Sequence, residues 1–194
     1  MRERHAETNR RAATFTLWLV LGAILAVAGL PAKGAANDVS IRSFFGDFEG
    51  RTLFPMGETR NRELFVSIRA DGAFGFNVFW ETMIYHSGAQ PVSRSQEVRF
   101  EPALRRGLYR GQAISGIDSD PEAASPADGA PHIWARINER TLTVNVLTVA
   151  DNGDYVVQTY ERTLTEDGLD LVFTRVRNGA VERQIKGQLK RRSG

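Results

Sequence analysis

The chain contains no cysteine, so disulfides, thiolate metal ligands and a lipid-bearing cysteine are all excluded. Histidine is nearly as scarce: His5, His86 and His132 are the three, and no two have zinc-ligand spacing. Long helical periods are missing as well. From Phe44 onward no stretch of ten or more keeps apolar residues at 3.6-residue spacing. That removes the strand-to-helix units on which P-loops and dinucleotide fingerprints sit, and neither motif occurs. Ile114-Ser115-Gly116 lacks the preceding Gly-x of a nucleophile elbow. No catalytic, metal-binding or cofactor-binding residue is assigned, and the sequence favours a non-enzyme over an enzyme.

Lysine is also rare, yet the pI near 9.2 suggests a basic protein with an anionic partner. Dividing the 194 residues removes that suggestion. Residues 1–36 hold five of the 25 basic residues and two of the 23 acidic ones, which leaves 20 basic against 21 acidic over 37–194. The remainder is nearly neutral, and a nucleic-acid partner is not expected.

The excess charge flanks Phe15–Leu30, an uncharged run of 16 that follows Arg10-Arg11 and ends at Pro31, ahead of the small residues Ala32-Lys33-Gly34-Ala35-Ala36. A basic segment, an apolar segment and a small-residue exit make a secretory signal, with cleavage expected before Asn37. The alternative is an uncleaved membrane anchor over residues 12–32, close to the roughly 20 residues that span a bilayer. Both place residues 37–194 outside the cytoplasm, in the periplasm or secreted, as one domain. The membrane is met only through the N-terminal segment, and only if it stays attached.

Short apolar runs broken by turn residues fill the rest of the chain. Leu64, Val66 and Ile68 alternate with polar neighbours, Asp71-Gly72 turns the chain, and Phe74, Phe76, Val78 and Trp80 continue the alternation. Asp151-Asn152-Gly153, Glu166-Asp167-Gly168 and Asn178-Gly179 repeat the device. The pattern predicts an all-β fold: an antiparallel up-and-down barrel of 8–10 strands, closed because closure removes sticky edges, with a two-sheet sandwich as the alternative. With strands at 43–53, 64–70, 73–84, 96–101, 107–114, 131–138, 141–150, 154–164, 169–176 and 180–190, the long connections are the first, third and fifth. They share one end, giving a cup with a mouth.

Arginine supplies 18 of the 20 basic residues after the leader. Arg175 falls in phase with Leu169, Leu171 and Phe173, and Arg183 with Val181, Ile185 and Leu189. Inside a barrel such guanidinium groups hold a ligand carboxylate, unless an internal acid such as Glu161 pairs with them. The register across Asn178-Gly179 stays open here. A plain two-residue turn sets Phe173 opposite Gln184, whereas a bulge or a longer turn restores the Leu169 face. Phe74, Phe76, Trp80 and Trp134 either line a cavity or fill a solid core. Asp118, Asp120 and Glu122 alternate in the fifth connection as calcium ligands do, but the glycine and distal glutamate of a calcium loop are missing, so a solvated loop is expected.

Phe45-Gly46-Asp47-Phe48-Glu49-Gly50, opening a strand in a secreted meander, resembles the start of lipocalin-like barrels, the calycin group. Their first strand carries Gly-x-Trp, with a basic residue of the last strand packed over the Trp. Here Gly46 matches, Phe48 replaces the Trp, and Arg183 or Lys186 is the expected cation. The resemblance implies a cup for hydrophobic or amphipathic small molecules. The expectation is therefore an exported barrel that binds such a ligand at its long-loop end, with Phe74, Phe76, Trp80, Trp134, Arg175 and Arg183 as its lining. The alternative is a solid barrel acting through protein contacts in the cell envelope, as an assembly factor or inhibitor using residues 118–128.

Overall fold

Alternating side chains and tight turns fold into ten strands in the computed structural model: β1 (Gly46–Leu53), β2 (Arg62–Asp71), β3 (Gly75–Ile84), β4 (Val92–Pro102), β5 (Leu108–Ser115), β6 (His132–Asn138), β7 (Thr141–Val149), β8 (Tyr155–Leu164), β9 (Gly168–Arg177) and β10 (Ala180–Arg191). Every strand pairs antiparallel with its chain neighbours, and β10 returns to β1, so the sheet is a closed up-and-down barrel. The structure describes residues 38–53, 62–85, 88–117, 123 and 125–193. The proposed leader, His5, His86 and the acidic trio Asp118, Asp120 and Glu122 lie outside them.

Turn chemistry fixes the register. Asn178 and Gly179 both take positive φ, 47° and 83°, as a two-residue hairpin turn requires, and Val176 pairs with Val181. The ladder then slips between Val181 and Arg183. Beyond the slip Arg175 faces Arg183, Phe173 faces Ile185 and Leu169 faces Leu189. The tight turn and the bulge are therefore both present, and the extra residue keeps the apolar face of β10 inside.

The strand ends joined by 54–61, 85–91 and 116–131 share one end of the barrel, as the parity of ten strands demands. The other end is sealed. A 3-10 turn, Ile41–Phe44, capped by the Ser40 hydroxyl accepting from the Arg42 amide, drives fully buried Phe44 into that end. Phe76 stacks on Phe100 at 4.9 Å between centroids, Tyr109 meets Phe76 edge-on at the same distance, and Phe48, Ile68, Val78, Val98, Leu142 and Val144 close around them without exposure. Each such side chain contributes about 1.5–3 kcal/mol by leaving water.

Arg191, near the end of β10, holds this plug. Its guanidinium carbon stands 4.5 Å over the Phe48 ring, and its nitrogens donate to the Ser43 and Phe45 carbonyls. The expected cation was Arg183 or Lys186. Both are misplaced for the role: Arg183 lies toward the mouth opposite Arg175, and Lys186 pairs with Leu53 and Val172 on the outward phase. Outside, Glu49, Arg51, Glu63, Arg69, Arg99 and Glu161 occupy outward ladder positions.

Candidate functional site

Packing is solid only in the sealed half. Toward the mouth the inward side chains withdraw and leave a cavity of about 200 Å³. Leu64 and Val66 from β2, Trp80 from β3, Leu171 and Phe173 from β9 and Ile185 from β10 form its apolar lining. Thr52, Arg62, Arg94, Gln96, Gln158, Tyr160, Arg175 and Arg183 supply the polar part. Aromatic contacts stiffen the floor: Tyr160 lies 4.9 Å from Trp80 and 4.9 Å from Phe173. The Tyr160 hydroxyl hydrogen-bonds to the side-chain oxygens of Gln96, at 3.0 Å, and Gln158, at 3.1 Å. Burial pushes its pKa up to about 12.

Following the registers around the barrel gives a simple charge rule. Among the described strands no aspartate or glutamate occupies an inward ladder position, while Arg62, Arg94, Arg162, Arg175, Arg177, Arg183 and Arg191 all do. One carboxylate reaches the inner side through the bulge. Glu182 accepts from Arg175 Nε at 2.8 Å and Arg177 Nε at 2.6 Å, and these two contacts, Arg177 the stronger, hold its pKa below the usual carboxylate range. Glu161, the expected internal partner, faces outward beside Thr143 and Val172. Glu81 borders the cavity from an outward position and accepts from Ser93.

Arg162 is the outlier. Its side chain is 0% exposed, and none of its three nitrogens has a hydrogen-bond partner. The guanidinium carbon sits 5.1 Å from the Trp80 ring centre and 5.6 Å from that of Tyr160, directly behind two residues that floor the cavity. Burying an unpaired ion costs several kcal/mol even after relaxation. Two ring faces return up to about 2 kcal/mol each. Burial accordingly lowers the pKa of Arg162 to about 10.

Of the six residues expected to line the site, Trp80, Arg175 and Arg183 meet at the cavity. Phe76 is inward but belongs to the solid floor below. Phe74 is 78% exposed in the turn after β2, and Trp134 points outward from β6 with its ring 5.3 Å from His132. Tight-turn geometry removes Phe74 from the strand, and in β6 it is Ile133, Ala135 and Ile137 that face the core. Arg162, Tyr160, Leu64 and Phe173 were not singled out, although the phase of Val156, Tyr160 and Leu164 marks Arg162 as inward. Among the described residues no three His, Asp or Glu side chains converge as metal ligands. No protein-family model and no curated protein sequence matches the chain.

Proposed function

We propose that the protein is an exported, lipocalin-like binder of a hydrophobic or amphipathic small molecule, held in the cavity at the long-connection end. The observation that carries this reading is the contrast inside one barrel: a sealed half packed without exposure, and a mouth half where Leu64, Val66, Trp80, Leu171, Phe173 and Ile185 surround open space. A barrel that served only as a rigid body has no need of that space, since its interior side chains can fill it. The plan of the calycin group supports the reading through Phe48 under Arg191.

Titration with a neutral environment-sensitive dye such as N-phenyl-1-naphthylamine tests it. Saturable fluorescence enhancement is expected for the wild type, and Ile185→Trp, which fills the cavity, should weaken it tenfold or more. Absence of saturable binding, with no small molecule released from protein purified from its native compartment, overturns the reading.

A further inference from the structure

We infer that the sealed end of the barrel docks on an anionic lipid surface through two neighbouring turns, the β2–β3 turn with Phe74 and the β4–β5 turn with Leu104, Arg105 and Arg106. This goes beyond the cavity reading and does not depend on it. Phe74 and Leu104 are the two most exposed large apolar side chains among the described residues, at 78% and 108%. A single exposed apolar residue needs no explanation, but two at one place do. β3 pairs with β4 from Phe76 opposite Phe100, so the turn that precedes Gly75 and the turn that follows Pro102 stand side by side. Other exposed apolar side chains, such as Leu53, Tyr85 and Ile114, border mouth connections that lie partly or wholly outside the described residues. Both sealed-end turns are described throughout.

Gly72 and Gly107 supply the positive φ, 63° and 75°, that these reversals need, and each reversal leaves its apolar residue in solvent. The charge beside them has one sign. Arg105 and Arg106 are exposed, and neither meets an acid among the described residues. Asp71 is taken by Arg99, which donates to it through two nitrogens, and Glu101 stands opposite Arg110 in the β4–β5 ladder. Two positive charges therefore remain at this corner, whereas the turns across the end carry Glu139, Glu166 and Asp167 against Arg140. An apolar tip flanked by unpaired arginines suits a lipid boundary: the tip enters the acyl edge while the guanidinium groups bond phosphate oxygens. A protein partner fits less well, because a stable interface buries about 800 Å² on each side and two convex tips offer far less.

The path of the chain agrees. Asp38 Oδ1 accepts from the Glu139 amide at 2.7 Å, and the Val39 amide donates to the Glu139 carbonyl at 3.0 Å, so the described chain enters at the sealed end. Leu30, where the uncharged run stops, precedes Asp38 by eight positions, at most about 30 Å of chain. A run retained in a bilayer would tether this end to it and leave the mouth open to the aqueous side.

Because the chain has no cysteine, Ala73→Cys takes a single polarity-sensitive nitrobenzoxadiazole label beside Phe74, and Asp151→Cys, in the β7–β8 turn at the mouth, takes the control label. Protein purified from its native compartment, with the N-terminus it carries there, is titrated with vesicles of phosphatidylcholine alone or with about 30% phosphatidylglycerol. On the anionic vesicles the label at 73 should shift to the blue and be quenched by doxyl-labelled lipid, and the label at 151 should do neither. Arg105→Gln combined with Arg106→Gln should raise the lipid concentration at half-shift about tenfold or more, at about fivefold per arginine. Phe74→Ser should raise it about tenfold. These side chains lie in solvent, so unfolding midpoints should not move. A silent label at 73, equal responses at both positions, or equal binding to neutral vesicles overturns the docking. So does a response confined to native membranes and abolished by protease, which assigns the tips to a membrane protein. The cavity reading stands or falls on its own dye titration.

Discussion

Arg191 stands 4.5 Å above the Phe48 ring and bonds the Ser43 carbonyl at 3.0 Å, so one side chain joins the last strand, the first strand and the plug ahead of it. Truncation to Arg191→Ala removes a cation–π contact and two charge-assisted hydrogen bonds. The expected loss is about 2–3 kcal/mol in urea-unfolding free energy. Arg191→Lys should recover part of it, because a lysine keeps the charge but cannot bridge two carbonyls in a plane. A loss under 0.5 kcal/mol for the alanine variant would show that the plug is held by Phe44 alone.

Arg162 makes the opposite case. Replacing an unpaired buried ion by an apolar side chain of similar length commonly stabilises, and Arg162→Met is expected to raise unfolding free energy by about 1–4 kcal/mol. Chemical denaturation of the ligand-free protein measures this. Destabilisation would mean that Trp80 and Tyr160 compensate the charge more fully than their distances indicate.

Tyr160 introduces a dependence on alkaline pH. In the folded state its phenol keeps the proton until about 12, whereas an unfolded tyrosine releases it near 10. The unfolded state therefore binds fewer protons across that interval, and stability falls as pH rises through it, by up to roughly 2–3 kcal/mol. Arg162, lowered to about 10 by burial, acts in the reverse sense, since the folded state sheds its proton before the unfolded one does. Tyr160→Phe should accordingly lose less stability than wild type between pH 10 and 12. Arg162→Met should lose more. Parallel unfolding curves at pH 9.5 and 11.5 for the three proteins give the comparison, and identical slopes would contradict both assignments.

Glu182 bridges Arg175 and Arg177 near the mouth and offsets one of their two positive charges. Glu182→Gln frees Arg175 and Arg177, so association of decanoate should quicken and become more sensitive to added salt, while decanol association stays as it was. Stopped-flow measurements at low and moderate salt decide it; equal acceleration for both ligands would assign the effect to loosening of the hairpin.

The ten strands were legible because alternation and turn residues agree at almost every position, as Leu64, Val66 and Ile68 before Asp71-Gly72 illustrate. Ladder parity followed from the count. The site was read less well, for a local reason in each case. In β8, Tyr155 and Val157 make the outward phase look as apolar as Val156 and Tyr160, so Glu161 appears internal and Arg162 external when the reverse holds. In β6, Trp134 outweighs Ile133 and Ala135 by size, yet the smaller pair faces the core. The bulge after Val181 moves Glu182 inside, a one-residue slip that pattern alone left undecided. Charge compensation between strands depends on register, and register here turns on that one residue.

The seam between β1 and β10 also sets a timetable. Nine of the ten strand pairings join neighbours in the chain and can form as each hairpin is completed. The tenth links groups as far apart as the Phe45 carbonyl and Arg191, 146 positions on. A nascent chain holds an open sheet with two bare margins until β10 is delivered. Premature termination anywhere in β10 would thus leave an open sheet edge able to pair with other chains.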